Sequence, residues 1–219
     1  MKLVLFDCDG TLVDSADVIH HCMAATFRDF DIAEPDMALT RSIIGLSLDH
    51  AIARMLLRDI DDEIAAMTAR YKENFIAYRN AGNPLEPLFK GIAPLLAACR
   101  QEPDLLLGVV TGKSRRGLKA ILGHHGLETT FTHIRTADDC PSKPHPAMVL
   151  ECCADAGIEP DSTLVIGDAV YDMQMASSAG ATAIGVSWGY APVDHLRRAG
   201  ADHIAGSADD IAGLIGLAA

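Results

Sequence analysis

The sequence predicts an α/β fold, in which a doubly wound parallel sheet carries an α-helical cap inserted after its first strand. Three observations indicate this. An apolar segment at 3–6 opens the chain without a polar interruption, which is typical of a strand buried on both faces of a sheet. Residues 15–80 then have helical periodicity almost throughout. From about residue 90 onward, segments with helical and strand patterns alternate.

Four predicted helices fill the segment after the first strand. Apolar residues recur at helical spacing at about 15–31, 37–44, 48–56 and 64–78. Asp14 and Ser15 are N-cap candidates for the first of these helices. A run of turn formers at 80–84 then ends the helical block. We therefore expect hinges near 13–15 and 80–84, with a helical cap at 14–81 and a core made of 1–13 and 82–219.

Helices and strands alternate in the rest of the chain. The predicted strands lie at 105–110, 163–166 and 182–186, with a weak one at about 132–136. The predicted helices lie at about 92–99, 118–125, 148–156, 170–179 and 207–217. Ser207 is the N-cap candidate of the last helix. Because helices connect successive strands, the sheet should be parallel and covered by helices on both faces.

Composition and charge narrow the functional classes. The formal net charge is −12 with 18 Lys and Arg, which argues against nucleic acid or an anionic membrane as the main partner. The six cysteines form no Cys-x-x-Cys pair, so we expect reduced core cysteines in a cytoplasmic protein. We predict neither a signal peptide nor a stretch long enough to span a bilayer. The protein is expected to be a monomer or a homodimer.

Polar residues follow three of the predicted strands. In chain order they are Asp7 and Asp9, then Thr111, Gly112 and Lys113, then Asp168 and Asp172. Parallel strands bring these ends to one edge of the sheet, where open α/β sheets bind their ligands. A further basic residue, Lys143, precedes Pro144, which favours an extended loop at that position.

These residue types suit phosphoryl transfer. One of two close carboxyl groups can attack phosphorus, while the other donates a proton. Asp7, Asp168 and a backbone carbonyl offer the oxygen ligands that Mg2+ prefers. Thr111, Gly112 and Lys143 can hold the other phosphate oxygens. At an effective dielectric constant near 20, two like unit charges about 4 Å apart are unfavourable by roughly 4 kcal/mol, so carboxylates that face a phosphate dianion need both the metal ion and Lys143.

Four motifs occur in register along the core. They are Asp7-x-Asp9-Gly10-Thr11, Thr111-Gly112, Lys143-Pro144 and Gly167-Asp168-x-x-x-Asp172. With them the chain resembles the haloacid-dehalogenase-like superfamily, in the branch with a helical cap after the first strand. Within that branch it is most similar to the phosphoglycolate phosphatase-like hydrolases. The resemblance implies a Rossmann-like core and a Mg2+-dependent phosphatase that hydrolyses a small phosphorylated metabolite through an aspartyl phosphate.

The resemblance also implies a role for each motif residue. Asp7 would be the nucleophile, and Asp9 would protonate the leaving oxygen and then activate water. The Mg2+ ligands would be the side chains of Asp7 and Asp168 and the backbone carbonyl of Asp9, supported by Asp172. The phosphate would be held by Thr111, Gly112 and Lys143. Gly112 stands where asparagine is common in phosphoglycolate phosphatases, which counts against phosphoglycolate itself as the substrate.

Three further residues are candidates for substrate contact. Arg41 precedes the turn at Gly45, which faces the active site in related caps. Arg41 either binds a substrate carboxylate or second phosphate, or is a solvated surface arginine. Lys113 either reaches the substrate or is a surface residue where a helix starts. Asp9 favours phosphate ester or anhydride hydrolysis over dehalogenation and phosphonate cleavage, because those branches lack an acid at this position.

Two alternatives to a phosphatase remain open. A phosphomutase of the β-phosphoglucomutase type would use the same residues and return the phosphate to a reoriented intermediate. A phospho-receiver or binding module would not turn over a substrate, and it would need neither the cap nor an acidic residue such as Asp9. The identity of the phosphorylated substrate is not predicted, because no motif in the cap indicates which leaving group it binds.

Overall fold

Six parallel strands form the sheet of the computed structural model, which describes residues 1–83 and 85–217. The strands are β1 (Lys2–Phe6), β2 (Leu105–Val110), β3 (His133–Arg135), β4 (Thr163–Gly167), β5 (Thr182–Val186) and β6 (His203–Ala205). Their order across the sheet is β3-β2-β1-β4-β5-β6, so β1 lies at the centre between β2 and β4. Phe6 lies opposite Val109 on one side and Ile166 on the other. The residues that follow these three strands therefore meet at one edge.

Ten α-helices occur in the described part of the chain. Four precede the second strand: α1 (Ala16–Asp29), α2 (Met37–Ile43), α3 (Leu48–Met55) and α4 (Asp62–Asn80). The others are α5 (Ile92–Cys99), α6 (Arg115–His124), α7 (Ala147–Ala156), α8 (Val170–Ala179), α9 (Val193–Arg198) and α10 (Ala208–Ile215). The predicted α/β fold with a parallel sheet is confirmed. Within 1–83 and 85–217, no helix combines the length and hydropathy that a membrane crossing requires.

Alternate residues of β1 face two separate apolar layers. Val4 and Phe6 pack in a cluster with buried residues of α5, α6 and α10. Leu3 and Leu5 pack in a second cluster with residues of α7, α8 and α9. All four side chains are fully buried, which stabilises the fold by roughly 1.5–3 kcal/mol each. This two-sided burial explains why the first strand reads as an uninterrupted apolar run.

Helices α1–α4 form a third apolar cluster of their own, which we call the helical unit. Its fully buried members include Ile52, Ile64 and Met67. The chain segments that enter and leave the unit run side by side, because Asp14 N donates to Pro87 O at 2.9 Å. The boundary at 14–81 stays a prediction. Pro84 of the expected second hinge, together with Ala218 and Ala219, lies outside the described residues.

The start of α1 is capped differently from the prediction. Ser15 occupies the N-cap position, but its side chain makes no capping hydrogen bond to the described residues. Instead, the hydroxyl oxygen of Tyr190 accepts hydrogen bonds from Ser15 N at 2.8 Å and Ala16 N at 3.0 Å. The same hydroxyl donates to Asp14 Oδ1 at 2.9 Å. Ser15 is therefore the N-cap residue, as predicted, but its side chain does not cap the helix, because a distant tyrosine accepts the hydrogen bonds of the first amides.

Other local predictions hold. Ser207 caps α10, its side chain accepting a hydrogen bond from Asp210 N at 3.2 Å. All six cysteines are buried and unpaired. Two elements, α9 and β6, have no predicted counterpart. They are six and three residues long, which is too short for a periodic pattern to stand out.

Candidate active site

Three carboxylates meet where β1 and β4 end. Asp7 follows β1, Asp168 follows β4, and Asp172 lies in the first turn of α8. Each offers a ligand oxygen, and these oxygens lie within 4.8 Å of one another. All three residues are buried. The cluster exists because β1 and β4 are neighbours in register and α8 begins directly after β4.

Two glycines make room for this cluster. Gly10 has a positive φ of 87°, and a Cβ there would lie 2.3 Å from Asp168 Oδ2. At Gly167 a Cβ would lie 2.4 Å from the Asp172 carboxylate. Real Cβ atoms essentially never approach so closely, so both positions require glycine. Gly10 of the first motif thus leaves room for Asp168, and Gly167 of the fourth motif leaves room for Asp172.

Lys143 is the counter-charge of the cluster. Its side chain is fully buried, with Nζ 2.8 Å from Asp7 Oδ1 and 2.6 Å from Asp172 Oδ1. Burial acts to lower the pKa of Lys143, but attraction to Asp172 and Asp7 outweighs it, and the pKa is raised. The lysine therefore stays charged. Three ionised carboxylates and one ammonium leave a charge of −2.

The Asp168 carboxylate is fixed by two donors. Thr11 Oγ1 donates to its Oδ1 at 3.1 Å, and the backbone N–H of Tyr190 donates to its Oδ2 at 2.9 Å. Burial, followed by the charges of Asp172 and Asp7, nevertheless raises the pKa of Asp168 well above its usual range. Thr11 and Tyr190 thus hold the Asp168 carboxylate in place, although it has no ion-pair partner within 1–83 and 85–217.

The cluster fits a hard divalent cation. Asp7 Oδ2 is buried and has no hydrogen-bond partner among the described residues. Burial raises the pKa of Asp7 to about 7, with the attraction of Lys143 opposing and the charge of Asp172 adding to this effect. A cation of charge +2 would match the charge of −2 and use the free oxygen. An all-oxygen donor set is the kind that Mg2+ prefers.

The second carboxylate of the first motif faces elsewhere. Asp9 Oδ1 accepts a hydrogen bond from Lys113 Nζ at 2.9 Å, and both side chains are about nine-tenths buried. Lys113 Nζ also lies 5.5 Å from the centroid of the Phe75 ring. Burial acts to lower the pKa of Lys113, yet Asp9 outweighs it and the pKa is raised. Lys113 is thus a buried partner of Asp9 and not a surface residue at a helix start.

The turn after α2 sits directly on the end of β2. A Cβ at Gly112 would lie 2.3 Å from Leu46 O and 2.6 Å from Gly45 O. Ser47 N donates to Ser142 Oγ at 2.9 Å, which adds a second link between the helical unit and the core. The helical unit is therefore closed over the edge of the sheet. The expectation that the Gly45 turn lies beside this edge agrees with the observed placement.

Substituting Gly112 should test this closed contact. In Gly112→Ala we expect kcat/KM for phosphate release to fall by at least about tenfold, because the methyl group would collide with two carbonyl oxygens. Gly213→Ala is the matched control, since Gly213 lies in α10 and has no atom within 4 Å of its added Cβ. Equal kcat/KM values for Gly112→Ala and the control would show that catalysis does not need this closed contact.

Two other predicted residues have contrasting positions. Thr111 is buried, and its Oγ1 accepts a hydrogen bond from Lys113 N at 3.1 Å. Arg41 is exposed, with its guanidinium 5.9 Å from the centroid of the Tyr190 ring. It does not line the cavity beside Asp9. Substrate contact by Arg41 stays a prediction without support from its placement, which instead matches the alternative of a surface arginine.

Sequence reasoning missed two sets of residues at the site. Tyr190 joins Asp168 to the start of α1, and a Cβ at the preceding Gly189 would lie 2.0 Å from Asp168 Cβ. Buried Glu86 pairs with Arg79 at 3.1 Å near the exit from the helical unit. The segment 188–190 follows β5 at the same edge of the sheet, so its position after a strand was the available signal.

Comparisons with known proteins agree with this geometry. A family model described as haloacid dehalogenase-like hydrolase matches residues 4–186. The probable phosphatase IndB of Dickeya dadantii is 34% identical over 200 residues, covering 90% of this chain and 86% of that protein. The phosphoglycolate phosphatase of Pasteurella multocida is 31% identical over 198 residues, covering 86% and 87%. The crystal structure of a predicted phosphatase from Clostridium acetobutylicum superposes with a TM-score of 0.87 at 27% identity, covering 98% and 97%.

Proposed function

The chain belongs to the haloacid dehalogenase-like hydrolase family and is a phosphoric monoester hydrolase, and we propose that it hydrolyses small phosphorylated metabolites through an aspartyl phosphate on Asp7. The observation that carries the proposal is the buried cluster of Asp7, Asp168 and Asp172 around Lys143. It presents a carboxylate oxygen without a hydrogen-bond partner among the described residues, at the sheet edge where this fold binds ligands. The proposal includes the helical unit, 14–81, as the cap of the site.

In the first step the Asp7 carboxylate is the nucleophile. One of its oxygens forms a bond to phosphorus as the bond from phosphorus to the leaving oxygen breaks. The leaving oxygen takes a proton from the Asp9 carboxyl group, so that a neutral alcohol departs. Asp9 Oδ1 accepts a hydrogen bond from Lys113 Nζ at 2.9 Å, which fixes the position of this carboxyl group. The products of the step are the alcohol and an acyl phosphate on Asp7.

In the second step water replaces the enzyme at phosphorus. The Asp9 carboxylate takes a proton from a water molecule whose oxygen attacks the phosphorus of the acyl phosphate. The bond between phosphorus and the Asp7 oxygen breaks, which releases inorganic phosphate and restores the Asp7 carboxylate. Asp9 ends the cycle protonated, ready for the next substrate. The two carboxyl groups thus have separate tasks, in keeping with their separate surroundings.

Binding of the phosphate falls to cations and polar groups around Asp7. Mg2+ held by Asp7, Asp168 and Asp172 would neutralise charge on the transferring phosphoryl group. Lys143 Nζ lies 2.8 Å from Asp7 Oδ1, and we propose that its charge attracts a phosphate oxygen. Thr111 and the amide of Gly112 follow β2 at the same edge and can donate hydrogen bonds to the others. The Asp9 carbonyl is proposed as a further metal ligand.

Mg2+ should bind with a pH dependence set by the buried carboxyl groups. The pKa of Asp7 is raised to about 7 and that of Asp168 is also raised, so protons must leave as the metal ion binds. We therefore expect the Mg2+ affinity, measured by calorimetry, to increase between pH 6 and about pH 8 and to be accompanied by proton release. At 100 times its Kd, Mg2+ should stabilise the fold by about 2.7 kcal/mol.

The Asp168→Asn variant provides the comparison for this metal prediction. It keeps the size of the side chain and removes one charge from the cluster. The Mg2+-dependent stabilisation should shrink strongly in this variant. If Mg2+ stabilised the wild-type protein and the variant equally, the proposed metal site would be wrong.

The proposed function is tested by phosphate release from a panel of phosphorylated metabolites, with Mg2+ and with EDTA. The panel includes phosphoglycolate, sugar phosphates, nucleoside monophosphates and pyrophosphate. We expect Mg2+-dependent release from one or a few members. An isomerised sugar phosphate in place of free phosphate would identify a phosphomutase and overturn the proposal. The proposal would also be overturned if the folded protein turned over no member of the panel.

A further inference from the structure

A cavity of about 450 Å3 lies between the helical unit and the catalytic edge. On the core side it is lined by Asp9, Gly112 and Lys113. It is therefore continuous with the place where Asp9 would meet the leaving oxygen. The start of α6 adds to the core side, and the rest of the wall comes mainly from helices α1 and α4 and from the segment that joins α2 to α3.

The wall contributed by the helical unit is largely apolar. Its members include Met23, Ile44, Leu48, Tyr71, Phe75 and Ile76. These side chains come from three separate segments and converge on one space. An aliphatic and aromatic lining of this kind favours an uncharged ligand surface, because burial there removes apolar area from water.

Four basic residues line the cavity, two of them paired with carboxylates and two of them exposed. Lys113 is paired with Asp9 at 2.9 Å, and Arg79 with buried Glu86 at 3.1 Å. Lys72 and Arg116 also line the cavity, but both are exposed. In the described part of the lining, the buried cations therefore already contact protein carboxyl groups, with which a carboxylate on the leaving group would have to compete. Burying an uncompensated charge is strongly unfavourable.

The cavity is also too large for a very small leaving group. Its volume of about 450 Å3 corresponds to that of roughly 15 water molecules in the liquid, at about 30 Å3 each. A glycolate would leave most of this space without contact. The volume instead lies in the range of about 300–1,000 Å3 that is typical of pockets for drug-sized ligands.

Building on the proposed function, we propose that the substrate is a phosphate monoester of an uncharged alcohol with an apolar or aromatic body of at least ring size. The phosphate would lie at Asp7 and Lys143, and the body would fill the cavity against α1 and α4. Selectivity then comes from apolar contact and from the competition that a leaving-group carboxylate would meet from protein carboxyl groups. Phosphoglycolate is a poor substrate on this view.

A series of primary alkyl phosphates tests the size and charge preference. Ethyl, butyl and cyclohexylmethyl phosphate release similar alcohols, so differences in kcat/KM report mainly on binding of the body. Each buried methylene should raise kcat/KM by about fourfold. We expect cyclohexylmethyl phosphate to exceed ethyl phosphate by at least about tenfold, and phosphoglycolate to fall below ethyl phosphate. A kcat/KM for phosphoglycolate at or above that of cyclohexylmethyl phosphate would overturn the inference.

Variants of α4 test whether contact with the cavity wall causes the preference for a larger organic body. Ile76→Ala should reduce the ratio of kcat/KM for cyclohexylmethyl over ethyl phosphate by several-fold, because it removes part of the apolar wall. Tyr78→Ala is the control, since Tyr78 lies on the same helix and does not line the cavity. The ratio should stay the same in this control. An unchanged ratio in Ile76→Ala would contradict binding at this wall.

Binding of phosphonates separates this inference from the proposed function. Phosphonates have no P–O bond to the organic body, so they can bind without being hydrolysed. Calorimetry in Mg2+ should show tighter binding of 2-cyclohexylethylphosphonate than of ethylphosphonate. If this preference held and no ester were hydrolysed, the inferred ligand preference of the cavity would stand and the proposed function would fail. If esters were hydrolysed without a size preference and the phosphonates bound equally, the inference would fail alone.

Discussion

Asp7→Asn should abolish phosphate release while preserving the fold. The amide has nearly the same shape as the carboxylate but cannot attack phosphorus or form an acyl phosphate. Removing a catalytic nucleophile costs on the order of 10^4–10^6 in kcat in well-studied enzymes, and we expect a loss in this range. The measurement is the steady-state rate of phosphate release at saturating substrate and Mg2+, with circular dichroism to verify folding.

Asp104→Asn is a suitable control for this variant. Asp104 is exposed and precedes β2, so it lies at the edge of the sheet opposite the site. Its substitution makes the same chemical change and should leave kcat unaltered. Activity of Asp7→Asn within tenfold of this control would mean that Asp7 is not the nucleophile.

Lys143→Met should have the second largest effect, on both activity and stability. The substitution keeps much of the side-chain volume but leaves the buried Asp7 and Asp172 without their ammonium partner. Removing one member of a buried ion pair costs about 3–5 kcal/mol, so the free energy of unfolding without metal should fall by about that amount. The kcat/KM should fall by at least about 10^2-fold, because a charged phosphate donor is lost.

Urea unfolding with and without Mg2+ separates these two effects. A divalent cation at the carboxylates should restore part of the stability of Lys143→Met, whereas the loss in kcat/KM should persist. Lys119→Met, which changes an exposed lysine on α6, controls for the loss of a positive charge. If kcat/KM stayed at the control value, Lys143 would have no part in the site.

The clustering of the acidic residues could be predicted because it follows from short-range rules. An apolar run identifies β1 and β4, and parallel pairing brings their carboxyl ends together. Asp7 and Asp168 come close together only if β1 and β4 are also neighbours in the sheet. They are neighbours, since Phe6 lies opposite Ile166. The positions of these residues thus follow from strand pattern and topology, while their catalytic roles stay predictions.

Other features depend on contacts that no local pattern encodes. Tyr190 is 175 residues from Ser15 along the chain, yet its hydroxyl replaces the predicted cap of α1. The pairing of Lys113 with Asp9 depends on how the loops after β1 and β2 are folded, so the sequence left both a substrate and a surface role open. The apolar cavity likewise requires three segments of the helical unit to converge. Helical periodicity predicts which residues are apolar but not which of them line a cavity.

The most direct measurement of the central claim is mapping of the phosphorylated enzyme. Asp9→Asn should still accept a phosphoryl group from acetyl phosphate in Mg2+, because that leaving group needs no proton donor. The acyl phosphate formed on the variant should be hydrolysed slowly, because residue 9 no longer has a carboxylate that activates water. Mass spectrometry of the acid-quenched variant should then locate the phosphoryl group on Asp7. A phosphoryl group on another residue would contradict the account. The account would also be contradicted if Asp9→Asn consumed acetyl phosphate in a Mg2+-dependent reaction but carried no phosphoryl group.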